Sequence, residues 1–163
     1  GVQTCALPIY MAKLDPYRFE FNKNDLPILS QLDEKRIPIR LGLLRPNGYP
    51  LVISLWYYTD NEKIYCATKK DALIVKYISN NSRCSFELAA DNPPYRGIRG
   101  YGICQINPES GKEVLDKLMN KYLSEKQTKL KQYLTTHNDR EVALEITPYS
   151  VSSYDYTKRM STD

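Results

Sequence analysis

The sequence predicts a mainly β, α+β domain in which six or seven mostly antiparallel strands curve towards a barrel and three or four helices pack around them. Four observations carry that expectation. Leu51, Ile53, Leu55 and Tyr57 alternate with Val52, Ser54, Trp56 and Tyr58, the period-2 pattern of a strand. The turn formers Thr59-Asp60-Asn61-Glu62 then send the chain back through a second strand, Lys63 to Thr68. Tyr95 to Asn107 reads as a long strand broken by Gly97, Gly100 and Gly102, and glycine this dense in a strand marks curvature or close approach. Finally, Asn107-Pro108-Glu109 supplies a cap, an N1 proline and an acidic first turn, ahead of the helical stripe Val114, Leu115, Leu118, Met119 and Tyr122.

The remaining elements follow in chain order. Gly1 to Tyr10, GVQTCALPIY, does not continue into the pattern that follows and resembles the read-through of a sequencing adapter. We expect residues 1–10 to be a non-native extension and 11–163 to form one domain, with Cys5 outside it. After the polar and aromatic lead-in Phe19 to Asn24, Asn24 is placed to cap a short helix carrying Leu26, Leu29 and Leu32, with Pro27 in its first turn. Ile37, Ile39, Leu41 and Leu43 alternate with Pro38, Arg40 and Gly42 in a strand whose second face carries one charge and one bare backbone position. Asn47-Gly48 joins that strand to the next in a hairpin.

Beyond Thr68, Leu73, Ile74, Tyr77 and Ile78 fall at helical spacing, with Asp71 as candidate N-cap and Asn80-Asn81-Ser82 as the stop. Arg83 to Ala90 is a strand of weaker alternation, ended by Asp91-Asn92-Pro93-Pro94. Glu125 to Thr136 reads as a helix burying Leu130, Tyr133 and Leu134. Glu141 to Ile146 alternates as a strand, Pro148 is expected to break it, and Val151 to Tyr156 forms a closing strand.

Composition narrows the function. The chain has 163 residues, enough for one domain that buries its core without metal or disulfide staples. Its net charge is +4, which favours a phosphorylated small molecule and falls short of a nucleic-acid footprint. Tyrosine is abundant, 14 against 3 Phe and 1 Trp, which suits interfaces and aromatic ligand pockets. Cys5, Cys66, Cys84 and Cys104 contain no C-x-x-C, and His137 is the one histidine, so neither a zinc site nor a thioredoxin-like motif assembles. Three of these cysteines sit in strands, where a thiol behaves as a small hydrophobe and burial raises its pKa. No run approaches a membrane span and no basic-then-apolar leader opens the chain, so a cytoplasmic protein without membrane contact is expected.

The apolar residues on both faces of Leu51 to Tyr58 require one face to cover a core and the other a ligand or second subunit. On this reading Trp56 lies at a two-fold dimer interface or beside a ligand, with Tyr154 to Arg159 closing a groove; the alternative is a cover by the helix carrying Val114, Leu118 and Tyr122.

The order of motifs resembles the pyridoxamine 5'-phosphate oxidase-like, FMN-binding split-barrel family from about Asp25 to Met160. The matches are Asn47-Gly48-Tyr49-Pro50 with Leu55-Trp56-Tyr57, then Tyr65-Cys66-Ala67-Thr68, Asn80 to Cys84, Pro94 to Gly102, and Tyr154-Asp155-Tyr156 with Arg159-Met160. The resemblance implies an antiparallel split β-barrel, a homodimer, and FMN or a deazaflavin held in a groove between subunits. It implies an oxidoreductase acting on a small molecule, with a non-catalytic binder of a cofactor or haem as the alternative.

A flavin phosphate is a dianion that wants charge-assisted donors, and its ring system wants an apolar or aromatic slot. Arg40, Thr68, Lys69 and Lys70 are the candidate phosphate cradle, Ser54 and Trp56 candidate ring contacts, and Arg96 and Arg99 further candidate donors. Where the family places a phosphate-binding lysine on the helix, this chain has Ile74, with Lys69, Lys70 or Lys76 as substitutes. No catalytic residue and no metal ligand is assigned, since a flavin carries its own chemistry.

Overall fold

A computed structural model describes residues 36–161. The expected extension over residues 1–10, the lead-in from Phe19 and the helix capped by Asn24 lie outside the described residues. The chain forms β1 (Ile39–Leu44), β2 (Pro50–Leu55), β3 (Tyr58–Asp60), β4 (Lys63–Lys69), α1 (Leu73–Asn80), β5 (Arg83–Ala89) and β6 (Arg96–Asn107). There follow α2 (Gly111–Tyr122), α3 (Thr128–Thr136), a 3-10 turn (Asn138–Arg140), β7 (Glu141–Asp155) and α4 (Thr157–Met160). All seven strands pair antiparallel in the order β2-β1-β5-β6-β7-β4-β3.

The strand expected over Leu51 to Tyr58 is two strands. β2 pairs with β1 through the hairpin at Asn47-Gly48, where Gly48 takes the positive φ of 85° that a side chain disfavours. β3 pairs with β4 through Asn61 and Glu62, both at positive φ. β2 and β3 are thus the two edges of the sheet, yet only Trp56-Tyr57 separates them, so the edges meet and the sheet curls into a barrel.

Alternation decides the interior. Ile39, Leu41 and Leu43 of β1, Phe86 and Leu88 of β5, Ile98 and Cys104 of β6, Leu144 and Ile146 of β7 and Cys66 of β4 fill the barrel, and each large aliphatic among them contributes about 1.5–3 kcal/mol of burial. α1 presses Ile74 and Ile78 onto this core. α2 lies outside, covering β4 and β7 with Val114, Leu118 and Tyr122 against Ala143, Trp56, Tyr58, Tyr65 and Ala67. The Tyr122 hydroxyl donates to the Ile37 carbonyl at 3.0 Å and accepts from the Tyr57 amide at 3.4 Å, binding helix, seam and β1 lead-in together. Trp56 stacks on Tyr122 at 5.2 Å and 8°. The helix therefore takes the aromatic end of the face expected to meet a second subunit; Val52 and Ser54, before the seam, stay exposed.

Helix starts differ from expectation because side chains found other partners. Asp71 pairs with Arg140 at 3.1 Å and leaves the N-cap of α1 to Ala72. Asn107 Oδ1 accepts from the amides of Glu109 and Ser110 in a turn of its own, so α2 opens at Gly111. On α3, Leu130 and Tyr133 are exposed and Leu134 alone of the expected trio reaches a core cluster. Pro148 does not end a strand: β7 is continuous from Glu141 to Asp155, with Tyr101 facing Ser150 and Gly102 facing Pro148. Tyr149 is the extra residue of a β-bulge, a place where proline's missing N–H costs no ladder bond.

Candidate functional site

The outer face of β2-β1-β5-β6-β7 holds the site, and strand register builds it. Ser54 faces Arg40, Arg40 faces Glu87, Glu87 faces Arg99 and Arg99 faces Ser152, so five side chains form one lateral row across five strands. The next outward row is Val52, Gly42, Ser85, Tyr101 and Ser150. Two adjoining cavities lie over these rows and share Gly42, Val52, Ser85 and Tyr101. One, of about 520 Å³, is the more polar of the two and includes Arg40, Glu87, Arg99, Ser150 and Ser152. The other, of about 560 Å³, is apolar and includes Leu44, Pro50, Leu51, Ile103 and Tyr149.

The floor is kept low by Gly42, where a Cβ would come within 2.3 Å of Ser85 Oγ. The walls are aromatic and aliphatic. Tyr101 is 44% exposed, Val52 69% and Tyr149 50%, and the bulge in β7 is what turns Tyr149 onto this face.

The electrostatics leave donors free. Arg40 Nη2 pairs with Asp91 Oδ1 at 3.1 Å, but its buried Nη1 has no hydrogen-bond partner. A buried guanidinium N–H without an acceptor is costly, and an anion beside it would remove the cost. Arg99 has no carboxylate partner among the described residues; it lies 5.5 Å over the Tyr154 ring. Glu87 would compete for both arginines, yet it accepts the Tyr154 hydroxyl at 3.0 Å. Burial first, and the neighbouring Glu87 carboxylate next, push the Tyr154 phenol up from 10.0 to about 12, so it remains a donor.

The sequence-predicted residues separate into groups. Arg40, Ser54 and Arg99 share the row. Arg96 lies in a different cavity with Asp91, Asn92, Pro93, Pro94 and Thr157, and Trp56 is under α2. Thr68 and Lys69 end β4 and Lys70 lies in the turn beyond; in the strand order β5, β6 and β7 stand between β4 and β1, and Arg40 pairs with Asp91, with no hydrogen bond or ion pair to Thr68, Lys69 or Lys70 among the described residues. Lys69 Nζ pairs with the buried Glu141 carboxylate at 2.7 Å and also donates to the His137 carbonyl. The Lys70 side chain is exposed, and Ile74 packs on the core.

Tyr101, Ser85, Tyr149 and Arg83 were missed. The first two stand on the outward parity of strands already recognised, while the bulge that exposes Tyr149 was masked by Pro148, read as a stop.

Cys66, Cys84 and Cys104 are buried and free. Burial pushes Cys84 and Cys104 from 9.0 up to about 12 and raises Cys66 further, so none is a poised thiolate. Among the described residues no group of three or more His, Cys, Asp or Glu could hold a metal ion, and no helix is long and apolar enough to cross a membrane.

No protein-family model matches the sequence, and no curated protein matches it. Solved structures do. A conserved hypothetical protein of Mycobacterium tuberculosis, Rv2991, superposes with a TM-score of 0.70 at 18% identity, covering 90% of this chain and 92% of its own. A Clostridium acetobutylicum protein related to general stress protein 26, of the pyridoxinephosphate oxidase family, gives 0.63 at 18% identity over 84% and 92%. An F420 reductase gives 0.62 at 21% identity over 76% and 94%. At these identities the likeness is one of fold, and the fold of this chain is the pyridoxamine 5'-phosphate oxidase-like split barrel.

Proposed function

We propose that this chain is a cytoplasmic, homodimeric oxidoreductase that uses FMN or a deazaflavin and acts on a small molecule. The observation that carries the reading is the more polar cavity: a buried Arg40 Nη1 without a hydrogen-bond partner in one lateral row with Arg99, at the edge of a glycine-floored apolar slot. These residues fit a planar cofactor with an anionic tail. Arg40 and Arg99 would hold the phosphate, with Ser54, Ser150 and Ser152 offering hydroxyls, while Val52 and Tyr101 would exclude water from the ring. Glu87 accepts the Tyr154 hydroxyl and makes no ion pair with either arginine among the described residues. When bound, the cofactor supplies the transfer of a hydride equivalent; no protein side chain is asked to do so.

The neighbours' printed descriptions, an F420 reductase and a pyridoxinephosphate oxidase family protein, support the same class. Apolar exposure at Val52, Leu44, Tyr101 and Tyr149 supports a second copy on this face, which would roof the groove.

Ile74 favours a second reading, a binder of a cofactor or haem without turnover, because the helix offers an aliphatic side chain where the resembled family has a phosphate-binding lysine. One experiment separates these. The purified protein is incubated with FMN or, in parallel, with a deazaflavin, desalted, and mixed with reduced nicotinamide, or for the FMN sample also with reduced deazaflavin, under anaerobic conditions. Retained yellow colour that bleaches supports the oxidoreductase; retained colour that never bleaches with nicotinamide or reduced deazaflavin supports the binder; no retained flavin or deazaflavin removes both flavin readings.

A further inference from the structure

We infer that the apolar cavity beside the polar one receives an aromatic substrate bearing an anionic group, and that Arg83 binds that group. The inference deepens the proposed function, resting on the polar cavity as the cofactor's place, and its argument is geometric. Arg83 stands on the same outward face of β5 as Ser85 and Glu87, at the far rim of the apolar cavity. Its Nε lies 3.4 Å from Asn81 Oδ1, and its two Nη groups have no partner among the described residues. Four residues of strand separate Arg83 from Glu87, the position that Arg99 faces, which puts about 13 Å between the two cationic ends of the groove.

That length is too great for one phosphate to reach both ends, and the stretch between is not charged. It is lined by two aromatic rings, Tyr101 and Tyr149, and by the aliphatic Leu44 and Val52; Tyr101 and Val52 are shared with the neighbouring cavity, so the substrate ring takes the Tyr149 and Leu44 end, alongside a flavin ring held at Val52 and Tyr101. A flat ring fits between such walls, and a carboxylate or sulfonate on it would meet the fork of Arg83 donors. The bulge that delivers Tyr149 adds an independent sign, because bulges are frequent where a strand re-aims a side chain towards a ligand.

The probe is 8-anilinonaphthalene-1-sulfonate, an aromatic sulfonate whose fluorescence rises in apolar sites, with neutral N-phenyl-1-naphthylamine as its uncharged counterpart. Titration is done on the whole protein, with and without saturating FMN. We expect saturable sulfonate binding that persists with FMN present and weakens about tenfold in Arg83→Gln, since the charge-assisted bond to the sulfonate is lost. Tyr149→Ser weakens both probes, whereas Arg83→Gln leaves the neutral probe unchanged. Both positions are exposed in the single chain, and an unaltered unfolding midpoint together with an unaltered light-scattering mass certifies the fold and assembly of each variant. Equal sulfonate affinity in Arg83→Gln and wild type, or competitive displacement of the sulfonate by FMN, overturns the inference while leaving the cofactor reading standing. Arg83-dependent sulfonate binding in a protein that never binds FMN supports the anion slot and removes the cofactor reading alone.

Discussion

Residues on this molecule are set by which face of a strand they occupy, and the consequences can be measured one group at a time. Cys84 and Cys104 face inward, and burial holds their thiols protonated up to about pH 12, against an ordinary 9.0. An unfolded chain releases those protons near its ordinary value and the folded chain does not, so in that window the folded state binds more protons. Stability is therefore full below about pH 9 and falls as pH rises towards 12. Urea midpoints measured across that range should decline, and Cys84→Ala with Cys104→Ala should flatten the decline; equal slopes would show that these thiols are not its source. The outward positions were as legible as the inward ones. Arg40, Ser54 and Arg99 could be picked from alternation and charge, but Arg40's free Nη1 could not, because it depends on Asp91 claiming the other nitrogen from 51 residues away.

Elements were legible in their kind and less so in their ends and partners. The apolar stripe of α2 announced a helix, and that helix buries Val114, Leu118 and Tyr122. Truncating its best-buried member, Leu118, leaves a cavity under Trp56 and Tyr58 that the stiff sheet cannot fill. Leu118→Ala should cost about 2–5 kcal/mol in urea unfolding, and a loss under about 1 kcal/mol would mean that α2 is not docked as described. The break at Trp56-Tyr57 was not legible, because period-2 alternation reports which face a side chain takes and is silent about which neighbour the strand pairs with. β2 and β3 keep one another's alternation while belonging to opposite edges. The bulge at Tyr149 escaped for a related reason: Pro148 lacks a donor, and a missing donor reads the same whether the strand stops or merely skips a partner.

Across the whole molecule, the curled sheet puts one covered side under α2 and leaves the other with its apolar groove open. The proposed two-fold dimer on the open side would bury Val52, Tyr101 and Tyr149, so light scattering at micromolar concentration should give twice the 18.9 kDa chain mass, and Val52→Glu should lower it towards one chain. A wild-type mass of one chain would end the dimer proposal. The account's central claim is that the arginine row, and not the lysines ending β4, anchors a flavin phosphate. FMN titration followed by quenching of flavin fluorescence tests it most directly, comparing Arg40→Met with Arg99→Met combined against Lys70→Ala. Lys69 is left in place because its loss would strand the buried Glu141 carboxylate. The account predicts saturable binding by the wild type, affinity lower by about a hundredfold in the double arginine variant at roughly tenfold per charge-assisted contact, and near wild-type affinity in Lys70→Ala. Full affinity in the folded arginine variant, with binding lost in Lys70→Ala, would contradict it.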